Sequence, residues 1–169
     1  MENIVLIGMP GSGKSTLGVL LAKALGYSFI DTDLIISKKA DSPLQKILDT
    51  YGLQYFLQLE EEVGSNLICD KTVIATGGSM VMSQKAMNNL KSIGKIIYID
   101  VPLDEIKQRV TNITTRGIAF DKGETLDDIY EIRSPLYKRY ADITVCHSRD
   151  KNIETMVEAI IEKLMQQNN

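Results

Sequence analysis

The stretch that decides the fold is GMPGSGKST, residues 8–16. Gly8, four further residues, and then Gly13, Lys14 and Ser15 match the pattern G-x-x-x-x-G-K-[ST]. This pattern is informative only where a strand precedes it and a helix follows it. Both conditions hold here, because the apolar run NIVLIG leads into the pattern and a helical stripe of leucines continues from it.

Such a loop predicts a binding site for the phosphate chain of a nucleotide. Glycines let successive backbone N–H groups point inward, and the N-terminus of the following helix adds positive partial charge. Lys14 is expected to reach the β- and γ-phosphates of ATP, and the Ser15 hydroxyl to bind the Mg²⁺ that bridges them. The predicted phosphate-binding residues are Gly11, Ser12, Gly13, Lys14, Ser15 and Thr16. The alternative is a glycine-rich turn that only joins strand to helix.

Short apolar runs recur along the chain between longer helical patterns. They are rich in Ile and Val and predict five strands, at 3–8, 28–31, 72–76, 95–100 and 142–147. Because they read as apolar on both faces, we expect a parallel sheet covered by helices on each side. Helices are predicted from Lys14 to a cap at Gly26, and over about 52–68, 83–92, 102–111, 125–140 and 152–166. The fold class is therefore α/β.

Composition places the chain among globular proteins. Of its 169 residues, 44% are hydrophobic and 24% are charged, and this length suits a single domain, 1–169. The formal net charge of −3 argues against a nucleic-acid partner, which would need a strongly basic face. No apolar run is long enough to cross a membrane, and no secretory leader is recognisable. We expect a cytoplasmic monomer whose partner is a small molecule.

The cysteines and the single histidine suggest no chemistry. Cys69 and Cys146 lack the spacing of a zinc site or a disulfide framework, so both are expected to be buried thiols. His147 ends an apolar run, where a strand-end imidazole is more common than a catalytic base. None of the three is predicted to be a site residue.

Carboxylates follow the second predicted strand. In FIDTD, Asp31 and Asp33 would point the same way if the chain stayed extended, towards the crevice where parallel sheets bind ligands. One carboxylate would hold metal-bound water, and the other would align an acceptor hydroxyl. The alternative is that either Asp only caps the next helix. ATGGS at 75–79 follows the third strand, where paired glycines permit close approach of a ligand or form an ordinary turn.

Taken together, these motifs resemble the shikimate kinase family. They are GMPGSGKST, DTD at 31–33, the Gly52, Phe56 and Glu60 of G-x-x-x-F-x-x-x-E, TGG at 76–78, Arg116, and RSPLY at 133–137. The resemblance runs in order along essentially the whole chain. It implies a three-layer P-loop kinase fold with strand order 2-3-1-4-5, a mobile lid at about 112–124 and an acceptor-binding segment at about 33–62. Residues 112–124 are largely polar, include glycines and show no helical or strand periodicity of apolar residues, which agrees with a mobile loop.

The resemblance also implies roles for single residues. Lys14, Asp33 and Arg116 would be catalytic, with Asp33 as the base that orients the acceptor and Arg116 as a lid cation over the transferred phosphoryl group. Ser15 and Asp31 would serve the metal, and Arg109 would pack on adenine. The acceptor-binding residues implied are Asp33, Phe56, Leu57, Gly77, Gly78, Ser79 and Arg133.

Three positions depart from the family pattern. The family carries an arginine after the motif phenylalanine, which together with Arg133 would clamp the acceptor carboxylate, and this chain has Leu57. Ser79 stands in place of a third glycine, and Gly117 stands where a lid proline is usual. Leu57 also lies four residues after Leu53, as core packing on one helix face would require.

Three hypotheses follow. The first is an ATP-dependent shikimate kinase of aromatic amino-acid synthesis that tolerates Leu57. The second is a P-loop kinase for another hydroxylated small molecule. The third is a nucleotide-binding module without transfer activity, which the presence of Lys14, Asp33 and Arg116 disfavours.

Overall fold

Five parallel strands form one sheet in the computed structural model, which describes residues 2–111, 117–147 and 151–167. The strands are β1 (Asn3–Ile7), β2 (Ser28–Asp31), β3 (Thr72–Ala75), β4 (Gly94–Asp100) and β5 (Ile143–Cys146). Their order is β2-β3-β1-β4-β5, which confirms the order implied by the family resemblance. Because all strands are parallel, their carboxyl ends lie at one edge of the sheet, where open α/β folds bind ligands.

Helices connect the strands and cover the sheet. They are α1 (Lys14–Leu25), α2 (Thr32–Ala40), α3 (Leu44–Asn66), α4 (Gln84–Ile93), α5 (Leu103–Arg109), α6 (Leu126–Tyr140) and α7 (Ile153–Gln167). A turn of 3₁₀-helix, Met80–Met82, follows β3. Helix α1 packs against β2 and β3 and contacts α7, whereas α4 packs against β4 and α3. Within the described ranges, no helix is both long enough and apolar enough to span a lipid bilayer.

Two hydrophobic clusters hold in place the elements that form the candidate site. The main core surrounds β1, whose five residues are all buried, and Val5 lies opposite Ile74 of β3 and Ile96 of β4. A second, smaller cluster joins α2 and α3 to Ala119 and consists of Ile36, Ile47, Phe56, Leu59, Val63 and Ala119. Four of these six residues, Ile36, Ile47, Phe56 and Leu59, belong to the predicted acceptor-binding segment itself, so this segment has an apolar core separate from that of the sheet.

The helical boundaries between β2 and β3 differ from the sequence prediction. The chain does not stay extended after Asp31, because α2 begins at Thr32, and this helix was not predicted. Helix α3 begins at Leu44 rather than near residue 52. Gly52 has φ of 84° and interrupts its helical geometry, so the predicted start marks a kink inside one longer element. Weak apolar periodicity over 32–51 explains both errors, because packing on the second cluster and not intrinsic pattern fixes these helices.

The edge of the sheet also differs from expectation. Strand β5 lies at the end of the sheet beside β4 and alternates buried and exposed residues, so it is not covered on both faces as predicted. Cys146 is consequently exposed, and the prediction of a buried thiol was wrong for this residue. Cys69 is partly buried, and both cysteines are free.

Candidate active site

A cavity of about 260 Å³ opens beside the carboxyl ends of β1 and β3. The phosphate loop, α2, α3, the turn after β3, residues 117–119 and α6 all contribute to its wall. Its lining includes Gly11, Gly13, Lys14, Ser15, Thr16, Asp33, Phe56, Glu60, Gly77, Gly78, Ser79, Ala119 and Arg133. The structure therefore brings most of the predicted phosphate-binding and acceptor-binding residues to one cavity.

The Lys14 side chain is hydrogen-bonded to other residues of the phosphate loop. Helix α1 begins at this residue, and Gly13 before it has φ of 86°, a left-handed conformation that glycine adopts without strain. The Lys14 ammonium is buried and donates to three oxygens of the loop: Gly8 O at 2.9 Å, Met9 O at 2.8 Å and Ser12 Oγ at 3.1 Å. Burial lowers the pKa of Lys14 to about 8, despite the opposing effect of nearby Asp33 and Asp31.

The Asp31 carboxylate is hydrogen-bonded both to the phosphate loop and to the start of α2. Its Oδ2 accepts a hydrogen bond from Ser15 Oγ at 2.6 Å, while its Oδ1 accepts one from the Asp33 backbone N–H at 3.0 Å. The second bond makes Asp31 the N-cap of α2. The two alternatives considered for Asp31 are thus compatible, because each uses a different carboxylate oxygen.

Asp33 lies in the first turn of α2 with its side chain in the cavity wall. Burial raises its pKa to about 6, with a further increase from Asp31 and an opposing effect of Lys14. A carboxyl with a pKa near neutrality is suited to accept a proton from a hydroxyl. Its neighbour in the wall is Gly77, where an added β-carbon would lie 2.7 Å from Asp33 Oδ1.

The turn after β3 is held from both sides. Tyr137 Oη donates a 2.5 Å hydrogen bond to Gly78 O, and a β-carbon on Gly78 would lie 2.7 Å from Pro10 Cδ. The next residue, Ser79, is buried and donates from Oγ to Glu60 Oε1 at 2.5 Å. A side chain at position 78 would clash with the Pro10 ring, and one at position 77 would displace the carboxyl groups of Asp33 and Glu60.

Glu60 is a buried acid in the cavity wall that sequence reasoning did not assign a role. Burial raises its pKa to about 8, an effect that the Ser79 hydrogen bond opposes and Asp33 reinforces. Its Oε2 has no hydrogen-bond partner among the described residues. Glu60 belongs to a quoted motif, but its spacing alone gave no indication that the side chain reaches the cavity.

Arg133, on α6, supplies a buried cation to the same wall. Its Nη2 donates to Ala119 O, whereas Nη1 is buried with no hydrogen-bond partner in the described part of the chain. A buried guanidinium with a free donor is unfavourable unless an anion or acceptor enters the cavity. Phe56 lines the cavity alongside it and belongs to the second hydrophobic cluster.

Leu57 is not in the wall of this cavity. It packs on the second hydrophobic cluster and lines a neighbouring cavity of about 190 Å³, which shares Ala119 and Arg133 with the first. The position where the family resemblance implies an arginine therefore lines a neighbouring cavity, of which Arg133 also forms a wall.

Arg109 lies beside the phosphate loop in a third cavity, of about 200 Å³. Its Nη1 donates to Gly11 O at 3.3 Å, and its Nη2 lies 3.2 Å from Glu105 Oε2 and 3.1 Å from His147 Nδ1. Ser12 and Thr16 also line this cavity. His147, which was given no role from sequence, is thus part of the surface next to the loop. It directly follows β5, and its N–H donates to Asp100 O at the end of β4 at 2.9 Å.

Arg116, predicted as the lid cation, lies outside the described residues. The described remainder of the predicted lid begins at Gly117, whose N–H donates to Gln45 Oε1 of α3 at 3.0 Å. Residues 117–119 line the cavity, so this part of the segment lies against the acceptor half of the site.

Ser15 and Asp31 are suited to Mg²⁺. One hydroxyl and one carboxylate are hard oxygen donors, and Mg²⁺ in phosphoryl-transfer sites takes few protein ligands and completes its shell with phosphate oxygens and water. Within the described ranges there is no group of three or more His, Cys, Asp or Glu side chains that could hold a metal ion by itself.

Comparison with known proteins agrees with this geometry. Residues 10–166 match the family model described as shikimate kinase. The chain belongs to the shikimate kinase family. Curated family members include the shikimate kinase of Rippkaea orientalis, 38% identical over 96% of this chain and 87% of its own length, and that of Clostridium botulinum strain Langeland, 37% identical over 94% and 96%.

Solved structures of the family share the fold over the whole chain. Shikimate kinase from Acinetobacter baumannii in complex with shikimate superposes with a TM-score of 0.90 at 28% identity, covering 99% of this chain and 94% of that one. The enzyme from Aquifex aeolicus gives 0.83 at 31% identity, covering 98% of each chain. Family membership confirms the predicted class of activity, a phosphotransferase with an alcohol group as acceptor.

Proposed function

We propose that this chain transfers the γ-phosphoryl group of ATP to a hydroxyl of shikimate, giving ADP and 3-phosphoshikimate. The observation that carries the proposal is a single cavity lined by Lys14, Asp33 and Arg133 together. Among the described residues, one buried donor of Arg133 has no hydrogen-bond partner. The cavity thus offers partners for a phosphate, a hydroxyl and a carboxylate of bound ligands. Shikimate carries a hydroxyl and a carboxylate on one small ring.

The phosphate half would act by positioning and charge. Backbone N–H groups of residues 11–16 and the N-terminus of α1 would hold the phosphate chain. Lys14 would exchange its hydrogen bonds to Gly8, Met9 and Ser12 for bonds to phosphate oxygens, since all three partners are neutral oxygens and phosphate is charged. Ser15 and Asp31 would hold Mg²⁺, which when bound neutralises charge on the β- and γ-phosphates.

The acceptor half would align the attacking oxygen. Asp33 accepts the hydrogen bond of the acceptor hydroxyl and then its proton, as the oxygen forms a bond to the γ-phosphorus and the bond from that phosphorus to the ADP oxygen breaks. Arg133 binds the acceptor carboxylate through Nη1, which satisfies the buried donor. Phe56, Gly77 and Gly78 would line the ring.

Closure of the site would involve the segment 112–124. We include Arg116 in this proposal as the cation that closes over the transferred phosphoryl group, on the basis of the family resemblance. Contact between Gly117 and Gln45 supports a lid that works against α3 within one domain, 1–169. Closure would exclude water, which otherwise competes with the acceptor for the phosphoryl group.

The test is a coupled ADP-release assay with Mg-ATP, comparing shikimate with quinate, gluconate and water as acceptors. We expect shikimate-dependent release of ADP, with little turnover on the other compounds. Asp33→Asn should lose about 100-fold or more in kcat while binding ADP as the wild type does. Asp41→Asn, at the opposite end of the same helix and outside the cavity, is the matched control.

Two results would contradict the proposal. Unchanged turnover in Asp33→Asn would remove that carboxyl from the reaction. Phosphorylation of another hydroxylated acceptor with shikimate inert would show that the altered residues Leu57 and Ser79 mark a different acceptor, which is the second of the three hypotheses.

A further inference from the structure

Glu105, Arg109 and His147 form a polar cluster beside the phosphate loop to which the proposed reaction gives no role. Glu105 and Arg109 lie one turn apart on α5, and their side chains form an ion pair at 3.2 Å. His147 Nδ1 lies 3.1 Å from Arg109 Nη2 and 3.5 Å from Glu105 Oε2. A backbone hydrogen bond to Asp100 O, at 2.9 Å, anchors His147 beside the end of β4. Two side chains from different elements thus meet at one guanidinium.

The contact between Arg109 and His147 assigns the protonation state of the imidazole. A guanidinium has only donors, so a hydrogen bond of 3.1 Å requires a lone pair on His147 Nδ1. The imidazole is then neutral and carries its proton on Nε2. A protonated ring would place a second donor and a second positive charge against Arg109, and Glu105 Oε2 would be its nearby acceptor. Protonation of His147 therefore removes an acceptor from Arg109 and competes for Glu105.

Hydrogen bonds hold the guanidinium of Arg109 at its edge. Nη1 donates to Gly11 O at 3.3 Å, and Nη2 contacts Glu105 and His147. All guanidinium N–H bonds lie in the plane of the group, so these contacts do not use its faces, on which aromatic rings stack. Because both terminal nitrogens have partners, the orientation of the faces depends on those partners.

The cavity of about 200 Å³ beside Arg109 suits a flat ring. Residues of the phosphate loop form part of its wall: Ser12, Gly13 and Thr16. A base attached to phosphates on the loop can therefore reach it. The apolar part of the wall consists of Leu17, Ile153 and Met156. An aromatic base in this cavity would be buried against apolar side chains and would gain a cation–π contact with Arg109.

Resting on ATP as the phosphoryl donor in the function proposed above, we propose that His147 and Glu105 are positioning residues that orient the Arg109 guanidinium as the surface on which the base stacks. Neutral His147 holds Nη2 as an acceptor, and Glu105 holds it as a counter-ion. Protonation of His147 breaks the first contact and weakens the second, so nucleotide affinity falls as pH falls. In the described structure, the charged groups facing His147 are Glu105 and Arg109 of α5. The side chains that the loop, α1 and α7 contribute to this cavity are uncharged.

The experiment measures ADP affinity by calorimetry at about pH 7 and about pH 5.5, an interval over which imidazoles ordinarily take up a proton. His147→Asn offers an amide oxygen that can accept from Arg109 but cannot ionise, and His147→Leu offers no acceptor. At about pH 7 we expect the wild type and His147→Asn to agree within about twofold, and His147→Leu to bind about fivefold more weakly. At about pH 5.5 the wild type should bind about fivefold more weakly than His147→Asn. Comparison at one pH cancels the titration of ADP itself.

Further measurements separate positioning from a general structural effect. Diphosphate, which carries no base, should bind the wild type and His147→Leu equally. With ATP and shikimate, His147→Leu should raise the KM for ATP about fivefold with kcat nearly unchanged, because base stacking stabilises bound substrate and transition state alike. Glu105→Gln should weaken ADP binding about threefold through loss of the counter-ion, and it decides the question if His147→Leu does not fold. Cys146→Ser, at the exposed neighbouring position outside this cavity, is the matched control and should follow the wild type.

The outcomes distinguish this inference from the function on which it rests. The same pH dependence of ADP affinity in wild type and His147→Asn overturns the role of His147, and so does equal weakening of diphosphate in His147→Leu. Unchanged ADP affinity in Glu105→Gln overturns the role of Glu105. Phosphorylation of another acceptor with shikimate inert contradicts the proposed acceptor, while the expected ADP affinities would still support the positioning of Arg109. A wild type that binds no ADP overturns both.

Discussion

Ser15 Oγ donates a 2.6 Å hydrogen bond to Asp31 Oδ2, and this bond joins the first turn of α1 to the end of β2. It pairs a residue of the phosphate loop with a residue 16 positions later in the chain. Because Asp31 also caps α2, the position of the proposed metal ligands is linked to that of Asp33.

The Ser15–Asp31 pair predicts a change in Mg²⁺ dependence. Asp31→Asn keeps a side-chain oxygen that can cap α2 but removes the negative charge, so the fold should persist. We expect about a tenfold higher Mg²⁺ concentration for half-maximal activity at fixed ATP. Mg²⁺ titration of ADP release measures this, with Ser15→Thr as the hydroxyl-retaining control. An unchanged Mg²⁺ requirement would remove Asp31 from the metal site.

The lowered pKa of Lys14 predicts proton uptake on nucleotide binding. The free ammonium loses its proton near pH 8, whereas a bound phosphate chain favours the charged form and raises this pKa. ADP binding should therefore take up a proton above about pH 8, and affinity should fall as pH rises further. Calorimetric titration at about pH 8.5 in buffers of different ionisation enthalpy measures the uptake.

Lys14→Arg is the control for the proton uptake that we expect at Lys14 when ADP binds. Arginine stays charged throughout this pH range, so the Lys14→Arg variant should bind ADP without the proton uptake that Lys14 contributes. Any uptake that remains in Lys14→Arg belongs to groups other than Lys14. Equal uptake in wild type and Lys14→Arg would show that Lys14 is already charged before the nucleotide binds.

Leu57→Arg tests the missing carboxylate clamp. Leu57 and Arg133 line the same neighbouring cavity. From this position a longer cationic side chain would add a charge-assisted hydrogen bond to the acceptor acid. We expect KM for shikimate to fall by about tenfold with kcat nearly unchanged. Leu57→Gln, of similar size and without charge, is the control. An equal effect of both substitutions would assign the change to packing.

The raised pKa of Glu60 predicts the pH dependence of stability. The folded protein retains this proton up to about pH 8, whereas the unfolded chain releases it near the ordinary value of 4.5. The contribution of Glu60 to the free energy of unfolding is therefore fully present below pH 4.5 and is lost as pH rises through about 8. Glu60→Gln, which cannot ionise, should gain stability relative to the wild type over that interval.

Urea unfolding from acid to mildly alkaline pH measures this difference. Glu158→Gln, at an exposed position of α7, makes the same charge change outside the site and should follow the wild type. A wild type and Glu60→Gln whose free energies of unfolding remain parallel across the interval would show that Glu60 is not held protonated by the fold.

The phosphate half of the site was predictable because its residues are contiguous. Gly13, Lys14 and Ser15 bind through backbone conformation and a helix terminus, which a local pattern encodes. Strand order and Asp33 followed from the family resemblance. The extended geometry assumed for FIDTD was wrong, since the helical first turn of α2 depends on the Asp31 cap and on packing against α3.

The sequence by itself determined the α/β class, the phosphate loop and the class of reaction, because strand periodicity and a short ligand motif are local properties. Only the tertiary structure decided the acceptor wall. Glu60 contacts Ser79 across 19 residues of sequence, and Arg109 contacts His147 across 38. Leu57 lines the neighbouring cavity and not the one that holds Asp33. Such contacts depend on how α3, α5 and α6 pack on the sheet, and no spacing along the chain specifies that packing.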